Sequence, residues 1–201
     1  MKFFKRILWI LGIFAALCLL TVGFLWLYLP RADFGTPTNE RAAILEAATA
    51  QLDADEGTDA HKAIIDTYNA HEPLAQGYKV TYEDNWCATF VSFCAIEAGF
   101  TDIIPTECSC QRQIDLWKER KRWEEQDTYL PQPGDIIYYD WDVRTLGDST
   151  GWSDHVGIVV GTHGPFIKVI EGNKDDSVGY RFVLRWDPRI RGYGVPNYTE
   201  E

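Results

Sequence analysis

Two stretches of this sequence decide its interpretation: NWCATFV at Asn85–Val91 and DHVGIV at Asp154–Val159. The first places a cysteine ahead of apolar residues at helical spacing, and the second opens a strand-like run with a histidine. Cys87 would then lie in the first turn of a helix, where unpaired amide hydrogens and the positive end of the helix dipole favour a thiolate. This arrangement indicates a cysteine nucleophile with His155 as its base.

The helix that follows Cys87 is predicted to start after a capping Asp84 or Asn85 and to end at Gly99. A small buried structural cysteine is the alternative interpretation of Cys87. The neighbouring Trp86, with no apolar run before it, favours incomplete burial of this cysteine.

A catalytic base needs a group that orients it. The strand predicted over Phe166–Ile170 is followed by Glu171, Gly172 and Asn173. If this strand is the antiparallel neighbour of the one that opens at His155, Glu171 lies beside the imidazole. An ordinary turn is the alternative for Glu171 and Asn173. The other histidines are expected on the solvated surface: His61, His71 and His163.

The order of elements predicts an α+β domain, with N-terminal helices packed on an antiparallel β-sheet. Thr36 is predicted to cap a first helix that runs through Leu52, and a second helix spans Asp59 to about Ala70. The predicted strands, by their apolar runs and period of two, are Ile136–Tyr139, His155–Val160, Phe166–Ile170, Tyr180–Leu184 and Arg191–Val195.

The N-terminus predicts a single transmembrane helix. Ile7–Leu29 contains 23 uncharged residues, long enough for the ~30 Å hydrocarbon core of a bilayer. Its aromatic, leucine-rich exit is unlike a signal-peptidase site, so an uncleaved anchor is predicted. The preceding basic residues keep the N-terminus cytoplasmic and the rest of the chain outside. The predicted organisation is a flank at 1–6, a bilayer-embedded anchor at 7–29, a linker and helical stalk at 30–58 and a catalytic domain at 59–201.

Beyond Leu29 the chain has 16 basic and 30 acidic residues, a formal charge of −14. Such a surface repels phosphodiesters, so nucleic acid is excluded as a partner. The sequence does not indicate a protein partner.

The cysteines allow several readings. Cys18 is a small apolar residue of the predicted anchor. Cys94 either forms a disulfide with Cys108 or Cys110 or is a free buried thiol. A zinc site is disfavoured because no Cys-x-x-Cys pair occurs.

No metal or cofactor is predicted. The segment Gly77–Asp84 has too few carboxylates for a calcium site. A richer acidic set is interpreted as a solvated loop: Asp140, Asp142, Asp148 and Asp154.

Together these features resemble the CHAP family, the cysteine, histidine-dependent amidohydrolases/peptidases of bacterial and phage cell-wall hydrolases. The resemblance covers roughly Ala60–Tyr198. The motifs that carry it, in order, are WCATFVS at 86–92, PGDII at 133–137, SDHVGIV at 153–159, IEGN at 170–173 and GYGVP at 192–196.

The resemblance implies a papain-like fold and hydrolysis of amide bonds in peptidoglycan. It makes Cys87 the nucleophile, His155 the general base and acid, Glu171 the group that orients His155, and Asn173 a supporting polar residue. It also implies that the Cys87 backbone amide and a donor upstream bind the oxyanion. Where many members of the family have a glutamine, this chain has Asp84-Asn85-Trp86.

The hypothesis from the sequence is a membrane-anchored peptidoglycan hydrolase, either an N-acetylmuramoyl-L-alanine amidase or a peptide endopeptidase. One alternative is an exported thiol peptidase that acts on proteins. The other is a wall-binding module without catalysis.

Overall fold

A computed structural model describes residues 2–35, 37, 39–125, 129–141 and 151–199. The predicted helix cap Thr36 and the loop residues Asp142 and Asp148 lie outside the described residues. The chain divides into two compact units, Met1–Asp33 and Phe34–Glu201.

The first unit contains helix α1 (Lys2–Tyr28) and a 3₁₀ turn at Leu29–Arg31. The predicted transmembrane segment, residues 7–29, falls on these elements. Within the part of the chain that the structure describes, however, no helix meets both the length and the apolarity of a membrane span. The predicted span is therefore not confirmed.

The second unit begins with helices. Their bounds are α2 (Asn39–Thr49), α3 (Asp59–Ala70), a 3₁₀ turn at Ala75–Gly77, α4 (Cys87–Glu97) and α5 (Cys110–Glu119). The predicted bounds of α3 agree with the structure. The structure ends α2 at Thr49 rather than at Leu52. It also adds α5, which was not predicted.

The strands form one antiparallel sheet in the order β1-β6-β2-β3-β4-β5. Their bounds are β1 (Trp123–Glu124), β2 (Ile136–Tyr139), β3 (His155–His163), β4 (Phe166–Lys174), β5 (Ser177–Leu184) and β6 (Ile190–Gly194). The predicted α+β class with an antiparallel sheet is confirmed, and β3 and β4 are neighbours, as the placement of Glu171 requires.

Helix α4 lies at the centre of the domain. It packs on β3 and β4 on one side and on α2 and α3 on the other, so its residues 87–95 are all buried. A helix that is covered on all faces is apolar all round rather than amphipathic. Each fully buried side chain such as Val91 or Phe90 contributes about 1.5–3 kcal/mol by leaving water. The core therefore holds the N-terminal end of α4 firmly against the sheet.

The turn before β2 ties the helical layer to the sheet. Asp135 is fully buried, and its carboxylate accepts hydrogen bonds from Arg41 of α2 at 3.0 Å and from the Tyr129 hydroxyl at 2.6 Å. Its neighbour Gly134 accepts through its carbonyl from the Tyr198 hydroxyl at 2.9 Å. The Pro-Gly-Asp motif at 133–135 thus has a structural role in this chain.

His61 is fully buried, so the prediction of a solvated side chain is wrong. It lies on the same face of α3 as Ile64, Ile65 and Tyr68, because residues three, four and seven positions apart align along a helix. Its ring packs 4.8 Å from the ring of Trp86, measured between centroids. His71 and His163 are half-buried.

Candidate active site

Cys87 is the first residue of α4, and a glycine on the sheet lets this end of the helix approach closely. A Cβ atom at Gly172 of β4 would lie 2.4 Å from Cβ of Phe90 and 2.9 Å from Cζ3 of Trp86. Any side chain at this position would push α4 away from β4. The glycine of the Glu-Gly-Asn motif therefore sets the distance between the cysteine and the strands.

The predicted N-terminal caps of α4, Asp84 or Asn85, are wrong. Trp86 occupies the N-cap position, and its side chain makes no capping hydrogen bond. Asp84 instead accepts from the Thr81 amide at 2.7 Å and from the Tyr78 hydroxyl at 2.8 Å, which closes the preceding turn. The expectation that Trp86 would limit burial is also wrong: Trp86 is fully buried and Cys87 is 5% exposed.

His155 begins β3 and is 8% exposed. Its Nε2 atom lies 3.0 Å from Oε2 of Glu171, which is fully buried on β4. With Nε2 engaged in this way, Nδ1 is the ring nitrogen that is left for Cys87. The imidazole also stacks on Tyr139 of β2, with ring centroids 5.9 Å apart and planes 28° apart. The ring is thus held on its face and at one edge.

A second glycine makes room for the carboxylate. Antiparallel pairing of β3 with β4 brings Glu171 beside Gly157, two residues after His155. A Cβ atom at Gly157 would lie 2.7 Å from Cγ of Glu171 and 2.6 Å from Cγ1 of Val169. The missing side chain at residue 157 leaves the space that the Glu171 side chain occupies when it contacts His155.

Hydrogen bonds determine the charge of the thiol and the imidazole. Cys110, followed by His155, lowers the pKa of the Cys87 thiol well below its ordinary value, although burial opposes the shift. Burial by itself would lower the pKa of His155, but hydrogen bonds to Cys87 and Glu171 raise it to about 9. These shifts favour the thiolate form of Cys87 and the imidazolium form of His155.

Arg181 of β5 lies behind the carboxylate. Its Nε atom donates to Glu171 at 2.9 Å (Oε1) and at 2.7 Å (Oε2). A buried charge is tolerated when it is paired and hydrogen-bonded, and here a guanidinium and an imidazolium share one carboxylate. The guanidinium of Arg181 also lies 4.9 Å from the ring centre of Trp141. Arg181 could not be identified from the sequence, because a lone arginine in a strand carries no local signal.

Cys110, at the start of α5, was also missed as a site residue. Its Sγ atom lies 3.6 Å from Sγ of Cys87. The signal for α5 was present in the sequence: Cys110, Gln113, Ile114 and Trp117 have helical spacing, and all four are buried.

Asn173 lies apart from the line formed by the thiol, the imidazole and the carboxylate. Its side-chain amide donates to Oδ1 of Asn85 at 3.2 Å, so it connects the end of β4 to the segment before α4. Its φ of 53° places it in the left-handed region, where the strand pairing is irregular. The structure thus brings together Cys87, His155 and Glu171, and places Asn173 in a position that supports the loop.

The cysteines in the described part of the chain are free thiols. Cys94 is fully buried, so the free-thiol alternative describes it and the disulfide alternative does not. Among the described residues, no group of three or more His, Cys, Asp or Glu side chains could hold a metal ion.

Residues 77–173 match the family model of the CHAP domain. The matched segment contains Cys87, His155 and Glu171 and ends at Asn173.

The crystal structure of an NlpC/P60 family protein from Bacillus cereus ATCC 10987 aligns with a TM-score of 0.44 and 15% identity. The alignment covers 81% of this chain and 41% of that chain. A comparison with curated proteins gives no match.

Proposed function

We propose that this protein hydrolyses an amide bond in peptidoglycan, with Cys87 as the nucleophile. The observation that carries the proposal is the line from Cys87 through His155 to Glu171 at the N-terminal end of a buried helix. The CHAP family supports the class of reaction and of substrate.

In the acylation step, the Cys87 thiolate attacks the carbonyl carbon of the substrate amide. The His155 imidazolium donates its proton to the departing amine, and a thioester on Cys87 remains. The backbone amide of Cys87, at the positive end of α4, is a donor for the oxyanion.

In the deacylation step, neutral His155 takes a proton from water, and the resulting hydroxide attacks the thioester. The carbon–sulfur bond breaks, its electron pair returns to Cys87 as a thiolate, and His155 is again an imidazolium. Glu171 holds the imidazole in position throughout, and Arg181 holds Glu171. The carboxylate thus orients and stabilises His155 without reacting itself.

This function requires the domain to lie outside the cytoplasm, where peptidoglycan is found. Membrane anchoring through residues 7–29 is not part of the proposal.

The test is to incubate the full chain with purified sacculi and to measure the muropeptides released. Because α1 exposes large apolar side chains, the chain is handled in a mild detergent. We expect release by the wild type and by Cys94→Ala, and none by Cys87→Ala. Equal release by the Cys87→Ala and wild-type proteins would exclude the thiol mechanism.

Mass spectrometry of the released products identifies the bond. Free lactyl-muramic groups would indicate an amidase, and new amino termini within stem peptides or cross-bridges would indicate an endopeptidase. Cleavage of added proteins without muropeptide release would favour the exported thiol peptidase. Binding to sacculi without any cleavage would favour the wall-binding module.

A further inference from the structure

Two sulfur atoms face each other at the site. Sγ of Cys110 lies 3.6 Å from Sγ of Cys87, and the two residues are 7% and 5% exposed. The distance is within the range of a hydrogen bond that involves sulfur. The general thiol mechanism, which needs a nucleophile, a base and an orienting group, gives Cys110 no role.

The structure holds Cys110 in place through the residue one turn further along α5. The side-chain amide nitrogen of Gln113 donates to the carbonyl of Ala88 at 3.3 Å and to the Ser92 hydroxyl at 3.2 Å. Ala88 is the residue that follows Cys87. The amide oxygen of Gln113 accepts from the Tyr138 hydroxyl of β2 at 2.9 Å. Helix α5 is therefore joined to both α4 and the sheet, which fixes the first turn of α5 against the nucleophile.

The charge of Cys87 determines the direction of the hydrogen bond. An ionised sulfur can accept but not donate, so Cys110 must be the donor when Cys87 is a thiolate. Cys110 keeps its proton because the adjacent Cys87, and then burial, raise its pKa well above the ordinary value. A thiolate that is only 5% exposed needs such donors, because burying a charge is costly unless the charge is hydrogen-bonded.

We propose that Cys110 is a further catalytic residue, which donates its S–H to the Cys87 thiolate before attack and again when that thiolate leaves the thioester. The proton stays on Cys110 in both steps. During deacylation the electron pair of the broken carbon–sulfur bond goes to Cys87, and the donor stabilises the charge that develops there. This inference rests on the proposed thiol mechanism.

The titratable and charged groups around the sulfur pair come from each of the surrounding elements. They are His155 on β3, Tyr138 on β2, Glu171 on β4, Asp154 before β3, and Cys87 and Cys110 themselves. A substitution at Cys110 keeps the titratable side chains of the other elements. A change in the pH at which Cys87 ionises can therefore be attributed to the contact between the two sulfur atoms.

The test measures the rate of Cys87 alkylation by iodoacetamide against pH, with the full chain in reducing buffer and the modified peptide identified by its mass. Cys110→Ser and Cys110→Ala are a matched pair, since the two side chains have similar volumes and differ in the hydroxyl donor. We expect the alkylation midpoint of Cys110→Ala to rise by roughly one pH unit, a tenfold change in the ionisation constant. Cys110→Ser should recover at least half of that shift.

Circular dichroism checks that each variant folds, and Cys110→Val serves as the donor-free variant if Cys110→Ala does not. The proposal is overturned if the donor-free variant keeps the wild-type midpoint, or if the serine and donor-free variants shift equally. A wild-type midpoint at the value of an ordinary thiol overturns both this proposal and the thiol mechanism. A low wild-type midpoint without muropeptide release would count against the proposed substrate alone.

Discussion

The two ends of α4 each carry a buried cysteine, and the two thiols differ in ionisation. Cys87 is 5% exposed, and Cys94, two turns further on, is fully buried. Hydrogen bonds from Cys110 and then His155 lower the pKa of Cys87 well below its ordinary value. Burial, together with the charge of Glu97, raises the pKa of Cys94 well above it.

This comparison shows that partners from other elements, rather than burial or the helix itself, determine which thiol ionises. The first turn of α4 faces the start of β3 and the start of α5, which supply an imidazole and a thiol. The later turns face the apolar core, where burial is the main cause of the raised pKa of Cys94. Five predictions test this difference.

The largest effect is expected from removing the thiols one at a time. Cys87→Ala should reduce muropeptide release by about 10³-fold or more, because the variant lacks the thiolate that forms the thioester. Cys94→Ala should stay within about twofold of the wild type and lose about 1 kcal/mol of unfolding free energy. The test measures the rate of muropeptide release and the thermal unfolding of both variants. An equal loss of activity in Cys87→Ala and Cys94→Ala would contradict the proposed difference between the two thiols.

Removal of the base should be almost as damaging. His155→Ala should reduce activity by roughly 10²- to 10⁴-fold, because both proton transfers lose their group. The midpoint of Cys87 alkylation should rise toward that of an ordinary thiol, whereas Cys94 should stay unreactive in the folded protein. An unchanged Cys87 midpoint would show that the imidazole does not support the thiolate.

The orienting carboxylate should matter less. Glu171→Gln should lower kcat by about 10- to 100-fold with a smaller change in KM, because the amide can still contact His155 but carries no charge. A change in KM alone would place Glu171 in substrate binding instead.

Substitution of Arg181 should lower activity less than substitution of Glu171. Arg181→Gln should lower kcat by roughly tenfold and the unfolding free energy by about 1–2 kcal/mol, since Glu171 keeps His155 as a partner. The Arg181 side chain is 29% exposed, so the full cost of a buried ion pair does not apply. Arg181→Lys keeps the charge and should recover part of kcat. Equal losses in both variants would indicate that the charge is unimportant.

The smallest effect is a pH dependence. Activity requires ionised Cys87 and protonated His155, so kcat/KM should rise through the lowered pKa of Cys87 and fall by half near pH 9, the pKa of His155. Since the folded pKa of His155 is raised, its contribution to stability is present below about pH 6.5 and is lost as the pH rises through 9. If kcat/KM stays constant well beyond pH 9, His155 is not the general acid that protonates the departing amine.

Much of the fold could be predicted from local pattern. The bounds of α3 and β2 agree with the structure, because one has a clear helical stripe and the other an apolar run between turns. The position of Cys87 in the first turn of α4 was also predicted, but the predicted N-terminal caps were wrong, because Asp84 accepts from amide and hydroxyl groups of its own turn. His61 was misplaced because its burial depends on Trp86, which packs against it from outside α3.

The amino-acid sequence by itself determined the order of helices and strands, the cysteine at a helix start and the histidine at a strand start, because these depend on short-range spacing. Which other side chains contact this cysteine and this histidine was decided by the tertiary structure alone. Arg181 and Cys110 reach the site through β5 and α5, and two glycines, Gly157 and Gly172, allow the close contacts. Such contacts join residues far apart in the chain, and they determine the charge of the thiol because pairing, more than burial, decides which buried group ionises.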